Sequence, residues 1–248
     1  MKFVTAAVFV GWLLGSAAQA AQLSVAVASN FAGPMQRIAQ AFQKDTGDSL
    51  VLSFGSTGKF YAQIKHGAPF EVMVAADDIV PAKLEREGLG LQGSRFTYAV
   101  GKLVLWSRQP GLVDDQGNVL RTGSFDRLAL ADPRLAPYGA AALQTLQRLA
   151  LADALREKFV QGENISQAYQ FVATGNAPLG FVALSQVFDN GRLAQGSAWI
   201  VPQALYEPIR QQALVLVNGK ENAVAFKLMQ YMKGEVARRI IRSYGYDF

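Results

Sequence analysis

The residues best suited to chemistry lie in two short turns. Ala28-Ser29-Asn30-Phe31 follows the alternating run Leu23-Ser24-Val25-Ala26-Val27, and Gly55-Ser56-Thr57-Gly58 follows Leu50-Val51-Leu52-Ser53-Phe54. Each turn joins a predicted strand to a predicted helix. The first backbone N–H groups of a helix have no intrahelical partner, and the positive end of its dipole lies there, so both turns favour an anion. Ser, Thr and Asn add side-chain donors without adding charge. Taken singly, each turn is better explained as a helix cap. The pair, in an α/β chain that carries a secretion signal, points to a cup for an oxyanion.

Other motifs reduce to structure. Gly55-Ser56-Thr57-Gly58-Lys59 suggests a phosphate loop, but Ser53 stands where the first glycine is required and Phe60 where a magnesium-binding hydroxyl is required. Ser56-x-x-Lys59 matches the tetrapeptide of penicillin-recognising hydrolases, without a Ser-Asp-Asn or Lys-Thr-Gly partner. A secreted Ser-x-x-Lys hydrolase is therefore a minor alternative, and it needs Lys59 within hydrogen-bond reach of Ser56. The pairs Asp77-Asp78 and Asp114-Asp115 read as turn and cap residues. The chain has no cysteine and a single histidine, His66, which reads as a surface residue in the turn Lys65 to Pro69. Thiolate and multi-histidine metal sites are excluded.

The first twenty residues read as a signal peptide: Lys2, the apolar stretch Phe3 to Leu14, then Ala18-Gln19-Ala20 before the expected mature start at Ala21. The whole chain carries a net charge of +5. Its basic residues are spread out, which argues against a nucleic-acid partner.

The elements that must position the turns alternate between short apolar runs and helical periodicity, the pattern of βαβ units. Strands are predicted at 23–28, 50–54 and 72–75, with helices at 32–44, 59–66 and 80–88. Thr97 to Trp106 reads as one long β-type stretch. A second α/β set begins with the strand Leu128 to Ala131. It continues through the loop Ala136-Pro137-Tyr138-Gly139 into a helix, and through Glu163-Asn164-Ile165-Ser166 into another. Strands at 179–183, 199–201 and 213–217 and helices at 221–232 and 234–243 complete the chain. Roughly ten strands are many for a single sheet. Two lobes are expected, with crossings near 97–106 and 205–213.

In this order the motifs resemble those of the periplasmic molybdate-binding proteins. Ala28-Ser29-Asn30-Phe31 is similar to their first ligand loop, and Ser53-Phe54-Gly55-Ser56-Thr57-Gly58 with Tyr61-Ala62-Gln63-Ile64 to their second. Gly101-Lys102-Leu103-Val104-Leu105-Trp106, Ala136-Pro137-Tyr138-Gly139, Pro178 to Leu184 and Tyr206-Glu207-Pro208-Ile209 extend the match over essentially all of 22–246. The resemblance implies a two-lobed type II periplasmic binding-protein fold, α/β, each lobe a mixed sheet flanked by helices. Lobe I would be 21–99 plus 211–248, and lobe II 100–210. It implies ligand contacts from Ser29, Asn30, Ser56, Thr57, Tyr138 and, through its backbone N–H, Ile165. Where some relatives place a tyrosine hydroxyl after the Gly-Φ-Val strand, this chain has Ala183, and the Tyr138 hydroxyl is expected to supply that donor from across the cleft.

The same resemblance implies a monomeric, non-enzymatic periplasmic receptor. It would take molybdate or tungstate as an oxyanion, use no cofactor and no bare metal ion, and hand its ligand to the membrane permease of an ABC transporter. A shell of donors suits a fully deprotonated dianion, whereas phosphate and arsenate carry a proton and need an acceptor. Sulfate has the right charge but is smaller. The alternatives at this stage are a receptor for another oxyanion such as sulfate, or for an organic anion, the hydrolase, and a sensory domain without transport.

Overall fold

The computed structural model describes residues 22–189 and 191–248, so the expected signal peptide lies outside the described residues. β1 (Gln22–Ala28) passes through one 3-10 turn, Ser29–Phe31, into α1 (Ala32–Thr46). β2 (Ser49–Gly55) leads to α2 (Thr57–Lys65), and β3 (Val72–Val74) to α3 (Ile79–Arg86). β4 (Phe96–Gly101), β5 (Leu103–Ser107) and the short α4 (Val119–Thr122) follow. β6 (Leu128–Ala131) leads to α5 (Pro137–Arg148) and α6 (Ala152–Leu155), then β7 (Phe159–Gly162) to α7 (Ile165–Ala173). β8 (Leu179–Ala183) and α8 (Leu184–Val187) precede a small hairpin, β9 (Phe188–Asp189) and β10 (Arg192–Leu193). β11 (Ser197–Ile200), β12 (Ile209–Val215), α9 (Ala223–Lys233) and α10 (Glu235–Ser243) end the chain.

Two five-stranded sheets result, one ordered β2-β1-β3-β12-β4 and the other β11-β5-β8-β6-β7. In the first, β1 is parallel to β2 and β3 while β12 is antiparallel to β3 and β4. In the second, β6 is parallel to β7 and β8 while β5 is antiparallel to β8 and β11. Both sheets are mixed and helix-flanked, as expected.

Each sheet is covered on both faces, which explains the near-continuous apolar reading of its central strands. Leu23, Val25 and Val27 of β1 pack with Met35, Ile38 and Phe42 of α1 and with Leu228 of α9. The alternate residue Ala26 faces the other layer with Met73, Phe60, Ile64 and Leu84. In the second sheet Leu103, Leu105, Leu128 and Phe181 pack with Ala142 and Leu146 of α5. Val104, Ala129 and Val182 pack with Val172 of α7 on the opposite face.

The stretch 97–106 is not one strand. It breaks at Lys102, so that β4 closes the first sheet and β5 enters the second. Gly101 ends β4 under a tight contact: a Cβ there would lie 2.1 Å from the Tyr138 hydroxyl and 2.5 Å from Gln211 Nε2. The return crossing leads into β12, which starts at Ile209 rather than near 213 and carries a register irregularity between Gln211 and Gln212.

Candidate functional site

Four strand-to-helix turns, after β1, β2, β6 and β7, meet around one small cavity of about 10 Å³. Ser29, Asn30, Ser56, Thr57, Tyr138 and Ile165 all line it, and none is more than 6% exposed. No Lys, Arg, His, Asp or Glu is among the lining residues. Pockets for drug-sized organic ligands usually run to ~300–1,000 Å³. This cavity is far too small for such a ligand.

The local chemistry leaves donors open in each turn. Ser56 is the N-cap of α2 in extended conformation, yet its side chain makes no capping bond. One of the N–H groups it could have capped, that of Gly58, instead donates to the Leu135 carbonyl at 2.9 Å across the interlobe cleft. Ser56 Oγ is therefore buried with no hydrogen-bond partner in the protein. Thr57 Oγ1 accepts from the Ala76 N–H at 3.0 Å, which pins the β2–α2 turn to the end of β3 and leaves the hydroxyl proton to give.

In the other lobe Asn164 caps α7, its Oδ1 accepting from Ser166 N at 3.0 Å and Gln167 N at 3.1 Å. The cap serves the second and third helical residues and leaves the first N–H, that of Ile165, open beside the cavity. Pro137 occupies the first position of α5, with no N–H to satisfy, so the first donor of that helix is the Tyr138 N–H. The Tyr138 hydroxyl, expected to act across the cleft, lies 3.0 Å from Gln211 Nε2 at the crossing strands.

The lobes are joined directly. Besides Gly58 N–H to Leu135 O, Ser166 Oγ donates to Ser29 O at 3.2 Å and Ser185 Oγ to Asn30 O at 2.8 Å. Behind the cavity lies a buried polar cluster that the sequence reading did not single out. Gln211 is fully buried in β12, its amide 2.9 Å from that of Asn30 and 2.9 Å from the Tyr98 hydroxyl. The Tyr246 hydroxyl reaches the Asn30 side chain, the Asn30 carbonyl and Ser185 Oγ, each at 3.0 Å. Asn30 Oδ1 is left without a partner.

The motifs read as structural behave so. Lys59 Nζ pairs with Glu163 at 2.7 Å on the surface, and Ser56 Oγ has no partner, so the base a Ser-x-x-Lys hydrolase requires is not in place. His66 is exposed at the end of α2. Asp114 accepts from the Gln116 and Asn118 N–H groups within its turn. Among the described residues no cluster of His, Cys, Asp or Glu could hold a bare metal ion.

Comparison with known proteins places this architecture. Residues 23–247 match the family described as bacterial extracellular solute-binding protein. The chain belongs to that family. It is 59% identical to the molybdate-binding protein ModA of Azotobacter vinelandii over 234 residues, covering 94% of this chain and 93% of that protein. It is 50% identical to ModA of Rhodobacter capsulatus, covering 92% and 89% of the two chains. The solved structure of an Azotobacter vinelandii periplasmic molybdate-binding protein superposes with a TM-score of 0.89 at 45% identity, covering 91% of this chain and 99% of that one.

One charged group of this solute-binding chain sits near the cavity without lining it. Asp77, between β3 and α3, accepts from the Val80 N–H at 2.8 Å and faces the wider interlobe cleft. Burial raises its pKa to about 6, against the lowering effect of that hydrogen bond and with help from the Asp78 charge. In the unfolded chain an aspartate titrates near 4. The folded state thus holds the extra proton between about pH 4 and 6, and stability is lost as pH rises through that window. Asp77→Asn keeps the acceptor for Val80 and removes the charge. We expect it to raise stability by on the order of 1 kcal/mol at pH 7.5 and to have no effect at pH 4. Thermal unfolding at the two pH values tests this; an equal shift at both would refute the titration.

Proposed function

We propose that the chain captures molybdate, and tungstate with it, in the interlobe cavity and delivers it to the permease of an ABC importer. The observation that carries this reading is a buried cavity lined by neutral hydrogen-bond donors from four helix starts, with no charged side chain among them. The names of the relatives support the choice of oxyanion, and the small volume argues against a drug-sized organic ligand. The donors are Ser29 and Asn30, Ser56 and Thr57, and the backbone N–H groups of Tyr138 and Ile165. A hydrogen bond to a charged group contributes about 1.5–3 kcal/mol net, so several together offset desolvation of a dianion.

The two lobes, each built on one of the five-stranded sheets, move as units about the two crossings. The bonds between Gly58 and Leu135 and between Ser166 and Ser29 form when they close. Closure over the ion creates the surface a permease reads, so capture and delivery are coupled by population shift. The ion arrives and leaves unchanged, and no catalytic step or cofactor is involved. The expected signal peptide places the receptor in the periplasm, where it acts as a monomer and binds no nucleic acid.

Calorimetry on the mature protein decides the ligand. Strong heats with molybdate and tungstate are expected, and only weak heats with sulfate or phosphate. Binding of sulfate or phosphate with no heat from molybdate would overturn the assignment and leave the fold untouched.

A further inference from the structure

The last residues of the chain return to the hinge. Gly245, at φ 83°, turns the backbone off the end of α10. Asp247 then pairs with Val100 of β4 in both directions, its N–H donating to the Val100 carbonyl at 3.0 Å and its carbonyl accepting from the Val100 N–H at 2.8 Å. Val100 lies just before the break at Lys102, and Lys102 Nζ reaches the Asp247 carboxylate at 3.0 Å. The Phe248 ring packs against the Arg238 and Arg242 guanidinium groups of α10.

Tyr246 points the other way, into the molecule, and is buried. Its ring meets that of Phe31 edge-on, with 5.6 Å between centroids. Its hydroxyl lies 3.0 Å from the main-chain carbonyl of Asn30 and 3.0 Å from Ser185 Oγ. Ser185 Oγ donates to the same carbonyl at 2.8 Å. Asn30 and Phe31 lie in the turn between β1 and α1, whereas Ser185 belongs to α8 of the second sheet's lobe. The tail touches α8 again at Gly245, where a Cβ would lie 2.7 Å from Leu184 Cδ2. Conformation and space both require glycine there.

These contacts join a main-chain carbonyl and two hydroxyls, so they stand whichever way the Asn30 amide is turned. Burial pushes the Tyr246 pKa up to about 12, so at neutral pH the phenol has its proton to give. That one proton has two acceptors here, the carbonyl and Ser185 Oγ. Whichever takes it, the Asn30 main chain is tied to the tail, directly or through Ser185. With α8 drawn away, the carbonyl is the one of the two that stays, because it and Tyr246 belong to the same lobe.

We propose that Tyr246 is a positioning residue for the ion: it holds the main chain of the first ligand loop from behind while the lobes are open, and Ser185 joins it on the same carbonyl as they close. This rests on the oxyanion reading of the cavity and on the closing motion. A loop ordered beforehand costs less to bind than one that the ion must order. One carbonyl thereby links the position of the loop to the state of the lobes.

Hydrogen exchange of the mature protein without ligand, read by mass spectrometry, tests the hold on the loop. Tyr246→Phe keeps the ring on Phe31 and removes only the hydroxyl. Exchange should quicken in residues 28–35 and stay at the parental rate in α9. Parental exchange in 28–35, or an equal rise in α9, overturns the proposal; the equal rise is what a merely structural role would give. Calorimetry with molybdate tests the link to binding. Tyr246→Phe and Ser185→Ala should each weaken affinity roughly 2- to 10-fold, the scale of one neutral hydrogen bond. The double variant should lose less than the product of the two, because both groups hold one carbonyl. Losses that multiply in full overturn the shared hold. A parent that gives no heat with molybdate sinks the ligand assignment alone, since the exchange pattern is read without any anion.

Discussion

Ser56→Ala is expected to weaken molybdate binding roughly 10- to 100-fold while leaving the thermal midpoint of the unliganded protein near the parent's. The two halves of that expectation have one cause. A serine at an N-cap normally stabilises its helix, and losing it costs about 1 kcal/mol. Ser56 makes no capping bond, and the Gly58 N–H is taken by Leu135 from the other lobe. Its hydroxyl is desolvated with nothing in return from the protein. An unsatisfied buried polar group costs about 1–3 kcal/mol, so in the closed arrangement the hydroxyl needs the bound ion, whereas in the open unliganded form it meets water and its removal costs little. Calorimetry and thermal unfolding without ligand measure the two effects. A lower midpoint with undiminished affinity would make Ser56 a cap and not a ligand.

What the sequence revealed of this site followed from how local the signals are. Ser29, Asn30, Ser56 and Thr57 announce themselves because strand, turn and helix start lie within a dozen residues, and hydroxyl and amide side chains at a helix start have a local reason to be there. Asn164 and Pro137 mark the other two helix starts in the same way. Ile165 has no polar side chain; what it offers is a backbone N–H that the Asn164 cap leaves free. Only resemblance to a family singled it out.

The direction of the Tyr138 hydroxyl was not legible, because it is set by Gln211, seventy-three residues away. Gln211 itself was hidden in Ile209-Arg210-Gln211-Gln212, which reads as polar. In the sheet it shares a buried face with Ile209, Ala213 and Val215. The break at Lys102 was equally silent. Thr97 to Trp106 is continuously β-forming, and which sheet each half joins depends on strands far along the chain.

Gly58→Val should separate closure from the chemistry of the cup. Gly58 is the second residue of α2, and a Cβ there would lie 3.0 Å from both Cα and O of Leu135 in the facing lobe. Alanine already requires that backbone to give way; the two further methyl groups of valine cannot be accommodated while Gly58 N–H and Leu135 O stay 2.9 Å apart. Overpacking of this kind costs about 1–3 kcal/mol. In an open form the lobes part and the clash vanishes, so unliganded stability should stay near the parent, helped slightly by the loss of a helical glycine. Affinity for molybdate should fall roughly 5- to 150-fold, with every side-chain donor of the first lobe intact. Small-angle scattering adds the readout that Ser56→Ala would not move: the ligand-induced decrease in radius of gyration should shrink or disappear in Gly58→Val and persist in Ser56→Ala. Full compaction with parental affinity in Gly58→Val would show that the Gly58–Leu135 contact is no part of the closing motion, and the hinged capture it supports would have to be located elsewhere along the cleft.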